Sequence, residues 1–332
     1  MVNSFSKGFE DIAGFQPLYR GYKKARKGKR YSSEVLAFSE SLEQNLFNLS
    51  NMLLTQDYQP KGFKEFKLFD PKERQIKAPY FRDRIVHRSL HRSLEPFFDK
   101  KFIEHSFACR KGKGTHAGVD KAQEFMKKTG SQYFLKCDVE DYFGSVDHRI
   151  LTDMLDRKIR DDRIIELIET ILAGSGDAGM PIGTLYSQLF ANVYLNRFDH
   201  FVKQDLQADY YVRYMDDFVF FSDSKERLHH LREASQGFLG DKLNLSLPFS
   251  KTTLEPVGKG LTFLGYRIYP CHRKLRKRNK QGFKERHKTQ KSELQQNELT
   301  FSELRESIES WKGHAEHADT EKLRNKYLGR LD

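Results

Sequence analysis

Residues 209–221 read Asp-Tyr-Tyr-Val-Arg-Tyr-Met-Asp-Asp-Phe-Val-Phe-Phe, which places two adjacent acidic residues inside an aromatic and β-branched run. Such residues favour strands, so the run predicts two short strands with Asp216 and Asp217 at the tight turn between them. Two carboxylates held together repel each other and stay ionised only beside a neutralising partner, and oxygen ligands held this way suit Mg²⁺. The stretch therefore indicates a divalent-metal site for phosphoryl chemistry. For the dipeptide taken alone, an ordinary solvated Asp-Asp turn is the alternative.

The length and composition of the chain indicate a polar globular protein. Its 332 residues are enough for one large or two to three small domains, and 31% of them are charged. No apolar run approaches the length of a membrane span, and the N-terminus lacks the apolar core of a signal peptide. Cys109, Cys137 and Cys271 are far apart and odd in number, which argues against a disulfide framework or a zinc pair and fits a reducing cytoplasm.

The charge of the chain indicates a polyanionic partner. The formal net charge is +12, and much of it lies in two clusters, Lys23–Arg30 and Arg273–Lys280, with aromatic residues nearby. A cationic surface attracts phosphates and binds them with release of counterions. Nucleic acid is therefore the expected partner, with solvated charged faces as the alternative.

Apolar spacing along the chain predicts a mixture of helices and strands. Helices are expected at residues 35–53, 86–94 with an end near Pro96, 148–158, 161–172, from 184 to about 202, and 228–238. A hairpin with a basic face is expected at 63–79, a buried strand at 132–138, a turn at 179–183 and short strands within 243–269. After a boundary near 270 the chain is expected to be mostly polar helix, with a capping box at Thr300 and Glu303. The elements lack a regular βαβ rhythm, so an α+β fold is expected rather than a doubly wound sheet.

Asp138 adds a third carboxylate to the predicted site. It ends the buried strand 132–138, and two-metal catalysis needs carboxylates from separate elements that bridge two cations. Asp138 together with Asp216 and Asp217 supplies such a set. Taken alone, an aspartate at a strand end is as typical of a turn or a helix cap.

Five ordered motifs resemble those of the reverse transcriptases. They are Phe134–His148, Gly179–Leu195, Tyr214–Asp217, Lys251-Thr252 and Leu261–Tyr266. The resemblance implies a right-hand polymerase fold with fingers, palm and a C-terminal helical thumb. Fingers and N-terminal region would occupy residues 1–131, the palm 132–270 with a helical finger insertion at about 148–178, and the thumb 271–332. No ribonuclease H or endonuclease domain is expected after the thumb.

The resemblance also implies the catalytic residues and their cofactor. Asp138, Asp216 and Asp217 would be the ligands of two Mg²⁺ ions, with Mn²⁺ as a substitute and the Val139 carbonyl as an additional ligand. Lys251 falls where the family has a lysine that protonates the departing pyrophosphate, although a lone lysine is usually solvent-facing.

Further positions carry implied substrate roles. Phe143 would exclude a ribose 2′-hydroxyl, and Lys72 and Arg74 at the fingertip hairpin would clamp the triphosphate unless they are solvated surface charges. Three residues would grip the primer terminus: Phe263, Leu264 and Gly265. The loop Arg110–His116 would contact the template strand.

Departures from the usual family pattern suggest a subgroup. Ile182 stands where the family usually has Gln, and Ser187-Gln188 stands where intron-encoded members have Ser-Pro. This pattern, together with Arg82–Arg84, Ser106–Arg110 and Ser310–Asp319, resembles the reverse transcriptases of diversity-generating retroelements. Ile182 cannot hydrogen-bond the nascent base pair as Gln would, so low fidelity is expected.

The subgroup implies error-prone cDNA synthesis from a template-repeat RNA, with misincorporation opposite adenine. Its partners would be template RNA, a DNA or RNA primer, dNTPs and a small basic ring-forming accessory variability protein. No membrane association is expected. The expected location is the cytoplasm, and the protein is expected to be bacterial, archaeal or phage-encoded. The alternatives are a group II intron-like, retron or defence-associated reverse transcriptase, and an inactive RNA-binding palm scaffold.

Overall fold

The computed structural model describes residues 4–69, 73–128, 132–176 and 178–328. Its contacts divide the chain into two compact units. The first unit comprises Met1–Glu104, Asp138–Gln207 and Glu233–Lys251, and the second comprises His105–Cys137, Ala208–Arg232 and Thr252–Asp332. Among the described residues, no helix is both long enough and apolar enough to cross a membrane.

Helices and strands are interspersed along the described chain, which confirms the mixed α and β prediction. The helices are α1 Glu10–Ala13, α2 Phe15–Ala25, α3 Ser33–Glu40, α4 Leu42–Leu54, α5 Phe81–Asp99, α6 Thr115–Lys128, α7 His148–Asp156, α8 Asp162–Ala173, α9 Leu185–His200, α10 Lys225–Leu243, α11 Lys277–Gln295, α12 Phe301–Ala315 and α13 Glu321–Leu328. The strands are β1 Phe63–Phe69, β2 Glu73–Pro79, β3 Tyr133–Asp138, β4 Tyr211–Tyr214, β5 Asp217–Ser222, β6 Thr252–Pro256, β7 Leu261–Phe263, β8 Tyr266–Ile268 and β9 Arg273–Leu275.

The first unit contains the predicted basic hairpin. Strands β1 and β2 pair antiparallel from Phe63 opposite Pro79 to Phe69 opposite Glu73, which confirms the hairpin. The turn expected around residues 70–71 lies outside the described residues. Alternation of apolar and basic side chains gives such a hairpin one basic face.

The prediction of one continuous helix at residues 35–53 was wrong, because two helices, α3 and α4, lie there. Ser41 has φ −125° and ψ 53°, which are not helical angles, and it separates α3 from α4. The Asn45 side-chain amide donates to the Phe38 carbonyl across the break, at 3.0 Å. This side-chain bond satisfies a carbonyl at the end of α3, so the chain can change direction there.

The expected helix end near Pro96 was also wrong, because α5 continues through Pro96 to Asp99. A proline within a helix lacks one N–H donor and crowds the preceding turn. Here the loss falls in the last turn of α5, and Phe98 beyond it is buried in the core. Burial of an aromatic side chain stabilises this last turn despite the missing hydrogen bond.

A four-stranded sheet of the second unit carries the acidic motifs. Its strand order is β4-β5-β3-β6. Strands β4 and β5 pair antiparallel, as do β3 and β6. The central residues of β5 are all buried, as its unbroken apolar sequence predicts for a strand covered on both faces.

The C-terminal part of the second unit combines a small sheet with helices. Strands β7, β8 and β9 pair in that order, so strand pairing crosses residue 270. Phe283 of α11 stacks on Trp311 of α12 at 3.8 Å between ring centroids, and both belong to the core cluster of this unit. The predicted capping box at Thr300 and Glu303 is present at the start of α12. The finger, palm and thumb limits given above stay predictions.

Candidate active site

The two adjacent aspartates lie at the β4–β5 turn. Tyr214 pairs with Asp217, so Met215 and Asp216 form a two-residue connection and Asp217 is the first residue of β5. Met215 has φ +57°, in the left-handed region that such tight turns require. The side chain of Met215 is buried, and its burial anchors the turn that joins Tyr214 to Asp217.

The strand beside β5 ends with the third carboxylate. In the sheet order, β3 is the neighbour of β5, and Asp138 is the last residue of β3. The chain passes from the second unit to the first at this residue. This strand order is the one that the predicted triad requires, while the role of its members as ligands stays a prediction.

Two of the carboxylates are paired with lysines. Lys136 Nζ lies 2.9 Å from Asp217 Oδ1, within the second unit. Lys251 Nζ lies 3.4 Å from Asp138 Oδ1, within the first unit. The four side chains are between 25% and 41% exposed, and ion pairs at such exposure contribute little net stability. The Lys251–Asp138 pair is the more exposed of the two, so Asp138 can exchange its lysine for another cation at smaller cost than Asp217, whose Oδ1 atom is itself buried.

The donor set fits a hard divalent cation. Carboxylate and main-chain carbonyl oxygens are the ligands that Mg²⁺ prefers, and no sulfur or imidazole lies among the predicted ligands. The agreement concerns the chemical type of the ligands. Within the described parts of the chain, no group of three or more His, Cys, Asp or Glu side chains is arranged as a metal site, so the metal-binding role of the triad stays a prediction. The residue predicted to add a carbonyl ligand, Val139, is buried directly after β3.

The predicted sugar-selecting residue is held by the turn at 179–183. The Met180 amide donates to the Phe143 carbonyl at 2.7 Å, and the Gly179 amide donates to the Val146 carbonyl at 2.9 Å. A Cβ at Gly179 would lie 2.9 Å from the Gly144 carbonyl oxygen, and Gly179 has φ +81°. Only glycine permits this approach without strain. The turn thus fixes the backbone of Phe143, whose ring is partly exposed.

Ile182 and Ser187, which follow in the same segment, have contrasting surroundings. Ile182 is 36% exposed, although it is a large apolar side chain. Ser187 is fully buried, and its amide donates to the Thr184 hydroxyl that caps α9. Thr184 is therefore the capping residue and Ser187 supplies the amide that it caps, whereas Ile182 is accessible. Gln188 is partly buried in the first turn of α9.

Two predicted triphosphate ligands cannot be placed. Lys72 lies outside the described residues. The backbone of Arg74 belongs to β2, where it pairs with Leu68, but its side chain lies outside the described part as well.

The predicted primer grip forms the β7–β8 turn. Leu264 and Gly265 have positive φ values of +49° and +90°. A Cβ at Gly265 would lie 2.9 Å from the Asn279 side-chain nitrogen, and the Asn279 amide donates to the Gly265 carbonyl. Phe263 is buried in the core of the second unit. The close approach at Gly265 therefore serves packing of the chain against α11, and the primer role stays a prediction.

A histidine borders this turn. The Tyr266 hydroxyl donates to the His314 carbonyl at 2.8 Å, and burial raises the pKa of Tyr266 to about 12. Burial, followed by the nearby His116 and His317, lowers the pKa of His314. Both side chains are therefore neutral at pH 7, and α12 is held to β8 by neutral hydrogen bonds.

Three residues that support the acidic motifs were given no such role by the sequence motifs. They are Lys136, Arg213 and Ser106. Lys136 could have been found, because it lies two residues before Asp138 and side chains alternate along a strand. Arg213 interrupts an apolar strand, which is also a visible signal. Ser106 lies in the Ser106–Arg110 motif, but its contact with Arg213 could not have been predicted, since that contact depends on tertiary structure.

Comparison with known proteins identifies related sequences. Residues 67–268 match the family described as reverse transcriptase (RNA-dependent DNA polymerase). Protein YkfC of Escherichia coli strain K12 is 29% identical over 282 residues, covering 70% of this chain and 72% of YkfC. The group II intron-encoded protein LtrA of Lactococcus lactis subsp. cremoris is 24% identical over 269 residues, covering 59% of this chain and 44% of LtrA. The chain thus spans less than half the length of LtrA.

Solved structures with a similar fold include two telomerases. Apo telomerase from Candida tropicalis aligns with a TM-score of 0.51 and 12% identity, over 65% of this chain and 49% of that one. Telomerase from Candida albicans, in complex with a TWJ fragment of telomeric RNA, aligns with a TM-score of 0.50 and 13% identity, over 67% and 46%. These alignments confirm the predicted right-hand polymerase fold. With the family match over residues 67–268, they lead to one conclusion: the chain belongs to the reverse transcriptases, the family of RNA-dependent DNA polymerases.

Proposed function

We propose that the chain copies RNA into DNA by two-metal phosphoryl transfer, with Asp138, Asp216 and Asp217 as the metal ligands. The observation that carries the proposal is the sheet order, because the strand that ends with Asp138 is the neighbour of the strand that begins with Asp217. The match to the reverse transcriptase family supports it. The net charge of +12 supports binding of template RNA and of a DNA or RNA primer.

Mg²⁺, with Mn²⁺ as a substitute, would activate the primer 3′-oxygen and stabilise charge on the triphosphate. The aspartates would hold the ions, and Val139 would add its carbonyl oxygen. Lys251, which lies beside Asp138, is proposed to donate a proton to the departing pyrophosphate. Phe143 is proposed to exclude ribonucleotides, and Lys72 and Arg74 to hold the triphosphate. Phe263, Leu264 and Gly265 are proposed to hold the primer end.

We further propose that the polymerase belongs to the diversity-generating retroelement type. Support comes from Ile182, whose exposed apolar side chain cannot hydrogen-bond a base pair, and from the accompanying Ser187-Gln188. The products would be cDNAs of a template-repeat RNA with errors concentrated opposite adenine. A basic ring-forming accessory variability protein would be the partner. The protein would act in the cytoplasm and would be bacterial, archaeal or phage-encoded.

The experiment that tests this function is sequencing of cDNA made by the purified chain on a defined RNA, with and without the accessory protein. We expect errors opposite template adenine to exceed those opposite the other bases. Ile182→Gln should reduce the adenine errors about tenfold or more, because an amide can discriminate between correct and incorrect pairs. Leu36→Gln is the matched control, because it introduces the same amide at another exposed apolar residue of the same unit, and it should leave the error spectrum unchanged. Equal adenine errors in wild type and Ile182→Gln would refute the role given to Ile182.

A group II intron-like reverse transcriptase is the second candidate, favoured by the similarity to LtrA. Retron and defence-associated enzymes belong to the same alternative. The same sequencing experiment separates them, because a uniform low error rate over all four template bases would favour this candidate. If the chain makes no cDNA on any primed RNA yet binds RNA, an inactive RNA-binding scaffold is the better description.

A further inference from the structure

Arg213 is a fully buried arginine in the strand that leads to the aspartate turn. It lies in β4, two residues before Met215, and its exposed fraction is 0%. A guanidinium is almost never fully buried unless its donors are satisfied, since removing the charge from water is costly. Such a group is retained where its hydrogen bonds determine a particular arrangement, which a hydrophobic residue could not do.

The guanidinium holds the turn from inside. Arg213 Nη1 donates to the Met215 carbonyl oxygen at 3.0 Å. Met215 is left-handed at φ +57°, a conformation that persists only when surrounding contacts enforce it. Its carbonyl belongs to the peptide group that continues into Asp216. Fixing that carbonyl therefore fixes the peptide plane from which Asp216 begins.

A second donor connects the turn to a distant segment. Arg213 Nη2 donates to the hydroxyl of Ser106 at 3.1 Å, and Ser106 is itself fully buried. The main chain is bonded on both sides, because the Arg213 amide donates to the His105 carbonyl and the Phe107 amide donates to the Arg213 carbonyl. Residues 105–107 thus cover the outer edge of β4, and one arginine bonds to both this segment and the turn.

The segment also begins the basic loop at residues 110–114. Arg110 Nη1 donates to the Ser106 carbonyl at 2.9 Å, and the Gly114 amide donates to the Phe107 carbonyl at 2.9 Å. Hydrogen bonds therefore run without interruption from this loop through Ser106 and Arg213 to Met215. Only arginine offers two well-separated donors in one rigid plane, so lysine cannot bond both acceptors in the same way.

We propose that Arg213 is a positioning residue that fixes the turn geometry in which Asp216 and Asp217 bind the divalent cation, with Ser106 as its anchor. The proposal rests on the proposed function of the turn. Because Arg213 is fully buried, it would act through the Met215 carbonyl and not by contact with substrate or cation.

The test compares Arg213→Met, Arg213→Lys and Ser106→Ala with the wild type. Arg163→Met is the control, because Arg163 also makes several hydrogen bonds, to Asp161 and Glu10, within the first unit. Three quantities are measured: Mn²⁺ affinity by electron paramagnetic resonance without nucleic acid, kcat and KM for primer extension, and amide hydrogen exchange of residues 209–221. Unfolding midpoints of all variants show whether each one is folded.

For Arg213→Met we expect Mn²⁺ affinity to fall about tenfold and kcat about a hundredfold, because small misplacements of catalytic groups are costly. The KM for primed RNA should not change, and hydrogen exchange should increase at the turn. Arg213→Lys should recover only part of the loss, and Ser106→Ala should show a smaller loss of the same kind. Arg163→Met should leave Mn²⁺ affinity, kcat and hydrogen exchange at the turn as in the wild type.

Two outcomes would overturn the proposal. Unchanged Mn²⁺ affinity in folded Arg213→Met would show that Arg213 contributes to core packing and not to positioning of the metal ligands. Equal losses of metal affinity in Arg213→Met and Arg163→Met would assign the effect to general destabilisation. Asp217→Asn distinguishes failure of the proposed function, because it should abolish primer extension whatever Arg213 does.

Discussion

At the scale of single residues, the surroundings of Phe143 suit a side chain that faces a substrate. Its backbone is fixed by the Met180 amide, while its ring is only partly buried and packs edge-on against Tyr142 at 5.5 Å. A ring with a fixed base and an exposed face can act as a rigid wall. A core aromatic would instead be fully enclosed, as Tyr142 is.

Phe143→Ala should therefore admit ribonucleotides, because removing the ring opens space where a 2′-hydroxyl would otherwise clash. We expect the ratio of rNTP to dNTP incorporation, as kcat/KM, to rise about tenfold or more. Single-nucleotide primer extension measures this ratio. Phe249→Ala, at an exposed phenylalanine of the same unit, is the control. An unchanged ratio in Phe143→Ala would remove the sugar-selecting role.

At the scale of elements, the start of α12 is held by a side-chain cap. The N-cap hydroxyl of Thr300 accepts from the Glu303 amide, and the Glu303 carboxylate accepts from the Thr300 amide. This reciprocal pair satisfies two donors that a helix start leaves open. It holds the start of α12, whose Trp311 belongs to the core of the second unit.

Thr300→Ala should lower the free energy of unfolding by about 1 kcal/mol, the usual cost of losing an N-cap hydroxyl. Urea titration followed by circular dichroism and by Trp311 fluorescence measures the change. Ser302→Ala is the matched control, since Ser302 is exposed in the same turn. A loss for Ser302→Ala as large as that for Thr300→Ala would contradict the capping argument.

Among the elements, those determined by neighbouring residues were predicted from the sequence, and those that depend on distant contacts were not. The aspartate turn, the basic hairpin and the capping box follow from neighbouring residues, and each was predicted. The break at Ser41 was not, because apolar spacing continues across it and a side-chain bond from Asn45 accompanies the change of direction. The hydrogen bond of Arg213 to Ser106 joins residues far apart in sequence, so no local pattern contains it.

At the scale of the whole molecule, stability should depend on pH through buried histidines. Burial alone lowers the pKa of His87 from 6.5 to about 3, and His91 on the same helix has its pKa lowered to about 4, mainly by burial. The folded protein keeps His87 neutral, whereas the unfolded chain binds a proton below pH 6.5. Stability is therefore complete above that pH and is lost as pH falls towards 3.

As pH falls from 7 to 5, His87 should lower the free energy of unfolding of the wild type by roughly 2 kcal/mol. His87→Phe keeps a ring against Tyr186 and should remove this part of the pH dependence, leaving the share of His91. Urea titrations at the two pH values measure the difference. His230→Phe, at an exposed histidine, should leave the pH dependence unchanged. An equally steep dependence in His87→Phe would contradict the argument.

The most direct test concerns the three carboxylates on which the proposed activity depends. Primer extension on RNA should be measured for Asp138→Asn, Asp216→Asn and Asp217→Asn, with RNA affinity measured in parallel. Asp223→Asn, at an exposed aspartate just after β5, is the control. We expect each triad variant to lose about a thousandfold or more in kcat, since several kcal/mol of transition-state stabilisation depend on the bound cations, while RNA affinity and the control stay as in the wild type. Extension at the wild-type rate by folded Asp217→Asn or Asp138→Asn would contradict the assignment of these carboxylates as the metal ligands of the polymerase.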